Sequence, residues 1–570
     1  MLAFRPPVSE NYSHGILLLR GGRVSLGVVE PTARLFCDVD HFLDKMLDDS
    51  SIYAFLHRER AALLPDSEFA DLFDLKGRRS VPPSVVAVVM VLQRLEGLSD
   101  REAVERFCFD TRWRYAAGVG GYGSGSWTSF SHTVLVDMRE RLRRSKRPNR
   151  IFEVVLGAAH EAGLIGARRV LDSTPLYDAV ATMDTITLIR SAIRGLLKVA
   201  DPELRLELWA VIGSGDDYAT SAKPQIDWED RAAREQLIDS RAKDGFALVM
   251  ALHGRELDAA VLEAACLLLS VLGQDLEERS DGVFAIAHQV APDRIISSVD
   301  PETRHGHKTA AHGFDGYKGH VAIDPDSELI TATRVTPGNV GDAAVAKELI
   351  ADLIEDEAGE QTTSDEPVAG DEVADEEPAG EEPERPVVYG DNAYGTGDMQ
   401  DLLEHADIES RLKTQSPVAP GGRFSKDHFQ IDLENDKVTC PAGVSVQIRR
   451  RDDGSATASF AENCAACPLR EQCTNSSSGR VVNINRHEAA LARARARQAD
   501  PAWRDDYRAT RPKVERKLAH LMRRRHGGRR ARLRGQVRVD ADFSLLGAAT
   551  NLARLALLGL CSSSTGWTIG

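Results

Sequence analysis

Residues 387–395 read VVYGDNAYG. A short apolar run stops at a glycine and hands over to Asp391. Such a run, bounded by a turn signal, reads as a buried strand, here one that ends on a carboxylate. The stretch RRVLDST at 168–174 repeats the pattern, with Val170 and Leu171 leading into Asp172. If the two strands are neighbours, both carboxylates emerge at one sheet edge, where α/β sheets tend to place ligands. Two close carboxylates repel and raise each other's pKa, and a divalent cation resolves the conflict. Mg²⁺ takes oxygen ligands and keeps waters and substrate phosphates in its shell. Two such ions suit an in-line phosphoryl transfer.

A third carboxylate is expected from a helix packed beside these strands. RATRPKVERKLAHLMRRR (508–525) offers Glu515. Val514, Leu518, Leu521 and Met522 form an apolar face by helical spacing, and Glu515 lies next to it. In such basic surroundings a lone acid is either a local salt-bridge partner or the third member of the set. Glu488 is the fallback, in Ala- and Arg-rich surroundings that suit an exposed helix.

The 570 residues allow two to four domains, and 42% apolar residues suffice for globular cores. The formal charge of −16 argues against an anionic partner only until its source is found. Residues 355–384 hold fourteen Asp/Glu and no Lys/Arg, and taking those away leaves −2. This tract lacks aromatics and reads as disordered, either an inert linker or a shield for a basic face. From Arg486 to Arg534 there are seventeen Lys/Arg against five Asp/Glu. A second basic run, RERLRRSKRPNR, covers Arg139–Arg150. Each is either a solvated helix face or a phosphate-binding surface. The N-terminus does not look like a signal peptide. The most apolar stretch, LLGAATNLARLALLGLC, is interrupted by Asn551 and Arg554, which suits a buried or amphipathic helix over a membrane span. A cytoplasmic, nucleoid-associated location is expected.

Residues 1–80 are mixed in pattern. VPPSVVAVVMVLQRLEG starts with prolines and stops at Gly97, and Ser99 with Glu102 forms a capping box for the next helix. The pair is either a helix-turn-helix-like unit or part of a small helical bundle. A glycine-rich turn, GVGGYGSGSW, follows. Residues 186–295 are mostly helical. GYKGHVAID (316–324) and LITATRVT (329–336) read as a β-hairpin, and a helix runs from about Asp342 to Ile354. Without its insertions the order is strand, hairpin, helix, strand, a mixed α/β arrangement.

With Asp172-Ser173-Thr174, Asp391-Asn392-Ala393-Tyr394 and Arg511-x3-Glu515 in this order, the chain resembles a bacterial insertion-sequence transposase of the DDE superfamily. GYKGHVAID and TPGNVGD (336–342) resemble that family's central strands, and 81–147 its N-terminal end-binding domain. Arg508 stands where the family often has Tyr, with Tyr507 one place off, and Met522 where Lys or Arg is common. The resemblance implies an RNase H-like mixed sheet flanked by helices, with an all-helical N-terminal domain, a helical insertion and a small Cys-rich insertion. Its boundaries would be 1–80 for an N-terminal segment, 81–150 for the helical DNA-binding domain and 165–558 for the catalytic domain. The catalytic domain would be interrupted by 186–300 (helical), 355–385 (acidic linker) and 417–485 (Cys-rich), with 559–570 as a tail.

By the same resemblance, Asp172, Asp391 and Glu515 would hold two Mg²⁺ (or Mn²⁺) ions. A water activated there would cut DNA at the terminal inverted repeats, and the freed 3′-hydroxyl would attack target DNA. Tyr394 and Arg511 would position the phosphate backbone, with Lys513, Arg516, Lys517, Arg523, Arg524, Arg143 and Arg144 contacting DNA. Tyr394 is equally readable as a packing residue, and His320 as a structural strand histidine. The partner would be DNA, bound by at least a homodimer, with no membrane involved. An inactive DNA-binding relative and a hydrolytic nuclease are the alternatives.

Cys440, Cys464, Cys467 and Cys473 form C-x23-C-x2-C-x5-C, four of the chain's eight cysteines within 34 residues. This suits a structural Zn²⁺ site. A cluster of reduced core thiols and a redox pair are the other readings, and His487 is a spare ligand.

Overall fold

The computed structural model describes residues 39–74, 76–77, 79–119, 129–178, 180, 182–222, 224–309, 312–354 and 385–570. The acidic tract 355–384 and most of the glycine-rich turn lie outside the described residues. Two compact units result, one running to Gln93 and taking in Leu98–Val154, the other comprising Arg94–Gly97 and Val155–Gly570.

The first unit is helical. Helix α1 (Pro83–Glu96) begins on the second of the two prolines, and its residues Val85–Leu92 are buried on every side, as an all-round apolar helix must be. Helix α2 (Asp100–Phe109) opens on the expected capping box: the Glu102 N–H donates to Ser99 Oγ, and the Ser99 N–H to Glu102. Helix α3 (Thr133–Arg144) carries the first basic run. Much of that run is consumed internally. Arg139 pairs with Asp100 at 2.5 Å, Arg141 donates to the Leu72 carbonyl, and Arg143 pairs with Glu140. Arg147 pairs with Glu68 and Glu153, and the buried Arg150 with Asp71. Arg144 also pairs with Glu140 but remains exposed.

The second unit is built on a six-stranded mixed sheet: β1 (Arg168–Tyr177), β2 (Arg304–Thr309), β3 (His312–Ile323), β4 (Ile330–Pro337), β5 (Val387–Gly390) and β6 (Glu409–Leu412). Its order is β2-β3-β1-β5-β6, with β4 also on β3. β3 runs antiparallel to β1 and β4, and β5 and β6 run parallel to β1. All of β5 is buried, as expected of a parallel strand covered on both faces. β1 differs from its expected length. It continues through Asp172 to Tyr177 because antiparallel β3 pairs with it from Val170↔Ile323 to Tyr177↔Gly316. Asp172 is therefore inside the strand, not after it.

Between β1 and β2 lie helices α4 (Thr185–Val199), α5 (Arg231–Leu252) and α6 (Ala259–Asp275), which share a separate apolar core around Leu196, Leu248 and Leu268. After β5 come α7 (Gly397–His405), α8 (Glu488–Ala499), α9 (Pro501–Thr510), α10 (Pro512–Leu521) and α11 (Gln536–Leu558). One sheet face buries Leu171, Ala322 and Val388 against Val345, Leu349, Met399 and Leu403. On the other, α10 packs on β1 and α11 on β4.

The two polar interruptions of the α11 sequence now have reasons. Asn551 accepts from the Ile330 N–H at 2.8 Å and donates to the Ile330 carbonyl at 2.7 Å, and Arg554 donates to the Ser327 carbonyl. Asp540 accepts from the Val335 N–H at 2.7 Å. α11 thereby satisfies backbone groups of β4 that would otherwise form an open edge. Its approach is so close that a Cβ on Gly319 would lie 2.7 Å from the Phe543 ring. Among the described residues no helix is long and apolar enough to cross a membrane.

Residues 424–484 gather Phe429, Val438, Phe460, Val482 and Ile484 around Cys464 and Cys473. The C-terminal residues, unassigned by sequence, form a hairpin of Leu560–Ser563 with Gly566–Ile569.

Candidate active site

The register of β1 and β5 runs from Arg168↔Val387 to Val170↔Tyr389, so Asp172 and Asp391 each stand two residues beyond the last position at which these strands pair. β5 stops because Gly390-Asp391 enters a turn. The Asp391 carboxylate accepts from the Ala393 N–H at 2.9 Å, and at Gly395 a Cβ would collide with the Lys413 carbonyl at 1.8 Å. α9 docks on the C-terminal ends of β5 and β6. The Tyr507 hydroxyl donates to the Gly390 carbonyl, the Tyr389 hydroxyl to Asp506, and Trp503 Nε1 to the Ser410 carbonyl. Pro512 starts α10 directly afterwards, with Arg511 at the junction of the two helices.

That placement aims Arg511 at Asp172. The guanidinium makes a bidentate pair, 2.9 Å to Oδ1 and 3.1 Å to Oδ2. Its Nη1 lies 4.0 Å from Glu515, whose side chain is 64% exposed while those of Arg511 and Asp172 are 9% and 15% exposed. Burial pushes the Asp391 carboxyl above its ordinary range. The Ala393 N–H and Arg511 work against the shift, and the charges of Asp172 and Asp342 add to it. Asp391 is thus a carboxylate short of positive charge.

The other expected contacts divide by burial. Tyr394 is fully buried, its hydroxyl 3.4 Å from His320 Nδ1, so the packing reading is the one its position supports. His320 is also buried and bonds Thr336 at 2.9 Å; burial holds its imidazole down to about 4. Lys517 is buried beside Val514, Leu518 and Leu521, and burial lowers its ammonium to about 8. It is a core lysine. Lys513 stands 3.6 Å from Asp326 and Arg516 2.7 Å from Glu328, with Arg516 largely exposed. Arg523, Arg524, Arg525, Arg529, Arg530 and Arg534 lie on the loop that follows α10, and Arg523, Arg524 and Arg525 are exposed. This loop is tied to β1 through Tyr177, which bonds the backbones of Arg529 and Ala531 at 2.9 Å each. Beside Arg511 a cavity of about 350 Å³ is lined by Lys413, Arg504 and Arg508 over the stacked rings of Trp503 and Tyr507.

Glu488 is buried and held by Lys426 at 2.5 Å and Arg495 at 3.0 Å, a structural role away from the aspartates. His487 pairs with Asp398 at 2.9 Å, not with the cysteines. The four thiols line one small cavity of about 20 Å³, and the Arg480 N–H points at Cys464 Sγ from 3.4 Å. Burial raises the Cys473 thiol, with Arg480 opposing and the other three thiols adding. Among the described residues no three His, Cys, Asp or Glu side chains already stand as a metal cage. At the carboxylates this follows from Arg511 sitting on Asp172 and Glu515 pointing outward.

One acid was not singled out from sequence. Asp342 accepts from Ser173 Oγ at 2.5 Å and pairs with Lys318 at 2.9 Å, largely buried. Its signal was present: Val340-Gly341-Asp342 repeats the apolar-Gly-Asp step of Tyr389-Gly390-Asp391.

Asp172 thus lies within β1 and Asp391 just past the end of β5, with Arg511 and an arginine-rich loop on the helix side. Comparison with known families makes the class specific. Residues 41–141 match the family model "Transposase domain (DUF772)", and residues 439–556 match "Transposase DDE domain". In this order along the chain, the two matches are those of an insertion-sequence DDE transposase, and they mark the protein as a DNA transposase. No curated protein and no solved structure matches the chain.

Proposed function

We propose that the sheet is an RNase H-like core in which Asp172, Asp391 and Glu515 form the catalytic triad of a DNA strand-cutting and strand-joining reaction at the element's terminal inverted repeats. The observation that carries this reading is that Asp172 and Asp391 each stand two residues beyond the last paired position of neighbouring parallel strands, with Glu515 one helical turn beyond the arginine that pairs with Asp172.

The residues fit a divalent cation. Their donors are carboxylate oxygens, Asp391 lacks compensating charge, and the guanidinium of Arg511 already occupies a cation's place on Asp172. Mg²⁺ or Mn²⁺ held by these three acids would supply an activated water and stabilise the leaving oxygen. Glu515 would join the set only by turning inward from its exposed position, and Arg511, displaced from Asp172 by the cation, would be free to hold a phosphate. The Arg523–Arg534 loop and the cation-lined cavity beside Arg511 hold the flanking backbone. Divalent binding weakens as pH falls through the raised pKa of Asp391, because its protonated form donates no charge.

The cysteine region fits a structural Zn²⁺. Four sulfur donors lining one small cavity supply the ligand chemistry of a closed structural site. Zinc there would fix the 417–485 region as a rigid insertion between Asp391 and the Glu515 helix.

An inactive DNA-binding relative and a hydrolytic nuclease are distinguished from this reading by products. With Mg²⁺, DNA carrying the flanking inverted repeats and a supercoiled target plasmid, the expected result is end cleavage followed by covalent joining through the 3′-hydroxyl. Cleavage without any joined product identifies a nuclease, and binding without cleavage identifies the relic.

A further inference from the structure

We propose that Asp342 is a fourth carboxylate of this site, acting on bound cations from the sheet face opposite Asp172, and that Lys318 is the counter-charge that sets its strength. The inference rests on the reading of Asp172 and Asp391 as cation ligands.

The placement comes from register. On the β1–β3 ladder, Asp172 is opposite Val321, while Ser173 is opposite His320 and Pro175 opposite Lys318. Alternate residues face opposite sides of a sheet, so Ser173, His320 and Lys318 share the face that Asp172 does not. Asp342 lies on that second face. Ser173 links the two sides: its hydroxyl donates to Asp342 Oδ2 at 2.5 Å, and its own N–H donates to Asp172 Oδ1 at 2.9 Å. Lys318 Nζ donates to Asp342 Oδ1 at 2.9 Å and to the Val340 carbonyl at 2.8 Å.

A structural Asp–Lys pair would hold the β4 connection in place and nothing more. A carboxylate joined to Asp172 through the Ser173 hydroxyl and N–H does something else: it deepens the negative potential that attracts a divalent ion, and Lys318 limits that depth. The two side chains then have opposite effects on cation affinity, which a structural pair cannot produce. Isosteric replacement of each isolates the charge from the packing.

The test is Mn²⁺ titration of the full-length protein without DNA, with free Mn²⁺ followed by electron paramagnetic resonance. Wild type, Asp391→Ala, Asp342→Asn, Lys318→Met and the Asp342→Asn/Lys318→Met double variant are compared. Asp342→Asn should weaken Mn²⁺ binding about tenfold, the scale of one charge acting on a divalent ion across a partly solvated site. Lys318→Met should tighten it several-fold, and the double variant should return near wild type. Asp342→Asn and Lys318→Met shifting affinity in the same direction, or neither shifting it while Asp391→Ala does, overturns the proposal alone. Mn²⁺ binding that is absent in wild type, or indifferent to Asp391→Ala, overturns the metal reading and this proposal with it.

Discussion

Replacing Arg511 with alanine should destabilise the metal-free protein and make it more responsive to Mg²⁺. Arg511 and Asp172 are both largely buried and bonded at 2.9 and 3.1 Å. Opposite charges about 4 Å apart at an effective dielectric of about 20 attract by about 4 kcal/mol. The desolvation of both groups offsets much of that gain in the intact pair. Deleting one partner leaves that offset without compensation, and typical losses are about 3–5 kcal/mol. The variant would also leave Asp172 without its paired arginine beside the α10 acid. A loss of about 3 kcal/mol in EDTA is therefore expected. A cation that binds the folded site and not the unfolded chain stabilises by mass action. In wild type it must first displace Arg511 from Asp172; in the variant the carboxylate is open. Mg²⁺ should then recover much of the deficit in Arg511→Ala and add less to wild type. Urea unfolding followed by tryptophan fluorescence reads this, since Trp503 is buried on α9 beside Tyr507. Equal midpoints for both proteins in EDTA, or equal gains with Mg²⁺, would refute the reasoning.

Three further outcomes follow from individual side chains. His320 is neutral and buried with its pKa held at about 4 against an ordinary 6.5. Its contribution is therefore full above about pH 6.5 and is lost as pH falls toward 4, by up to about 3 kcal/mol; His320→Gln should flatten urea-midpoint curves across that window, and an unchanged slope contradicts it. Elemental analysis of the purified protein should find one zinc per chain, lost in Cys464→Ser together with protease resistance of residues 424–484; four thiols that titrate freely in the native protein with no zinc present would count against the site. Converting Arg523, Arg524 and Arg525 to glutamine should weaken DNA binding and reduce the slope of log K against log salt by about 0.9 for each phosphate no longer neutralised, whereas Lys517→Met, inside the core, should leave that slope alone.

The parts of the fold written in contiguous residues were legible. VVYG at 387–390 announced a strand buried on both faces, the 316–336 pattern announced the β3–β4 hairpin, and Ser99 with Glu102 announced a helix start. What the sequence withheld depended on partners far along the chain. β1 looked short because Thr174-Pro175-Leu176 shows little β pattern, yet eight residues of β3 hold it extended through Asp172. The run Arg139–Arg150 was readable either as a solvated helix face or as a phosphate surface, and the sequence did not show that Glu68, Asp71 and Asp100 pair with much of it. Lys517 looked like one more cation of a basic helix until its face turned inward beside Val514 and Leu518. Asp342 carried the same apolar-Gly-Asp step as Asp391, but only the fold brings it under Ser173. Sequence patterns report which face a residue prefers; they do not report which distant charge meets it.

The measurement that bears most directly on the whole account is Mg²⁺-dependent nicking of a labelled duplex ending in the inverted repeat that flanks the coding sequence, by wild type and by Asp391→Ala side by side. The account predicts a nick at the repeat tip that leaves a 3′-hydroxyl, present with wild type and abolished in Asp391→Ala while DNA binding persists. Nicking that survives in Asp391→Ala would contradict it, because the strand β5 would then end on an aspartate with no part in the chemistry.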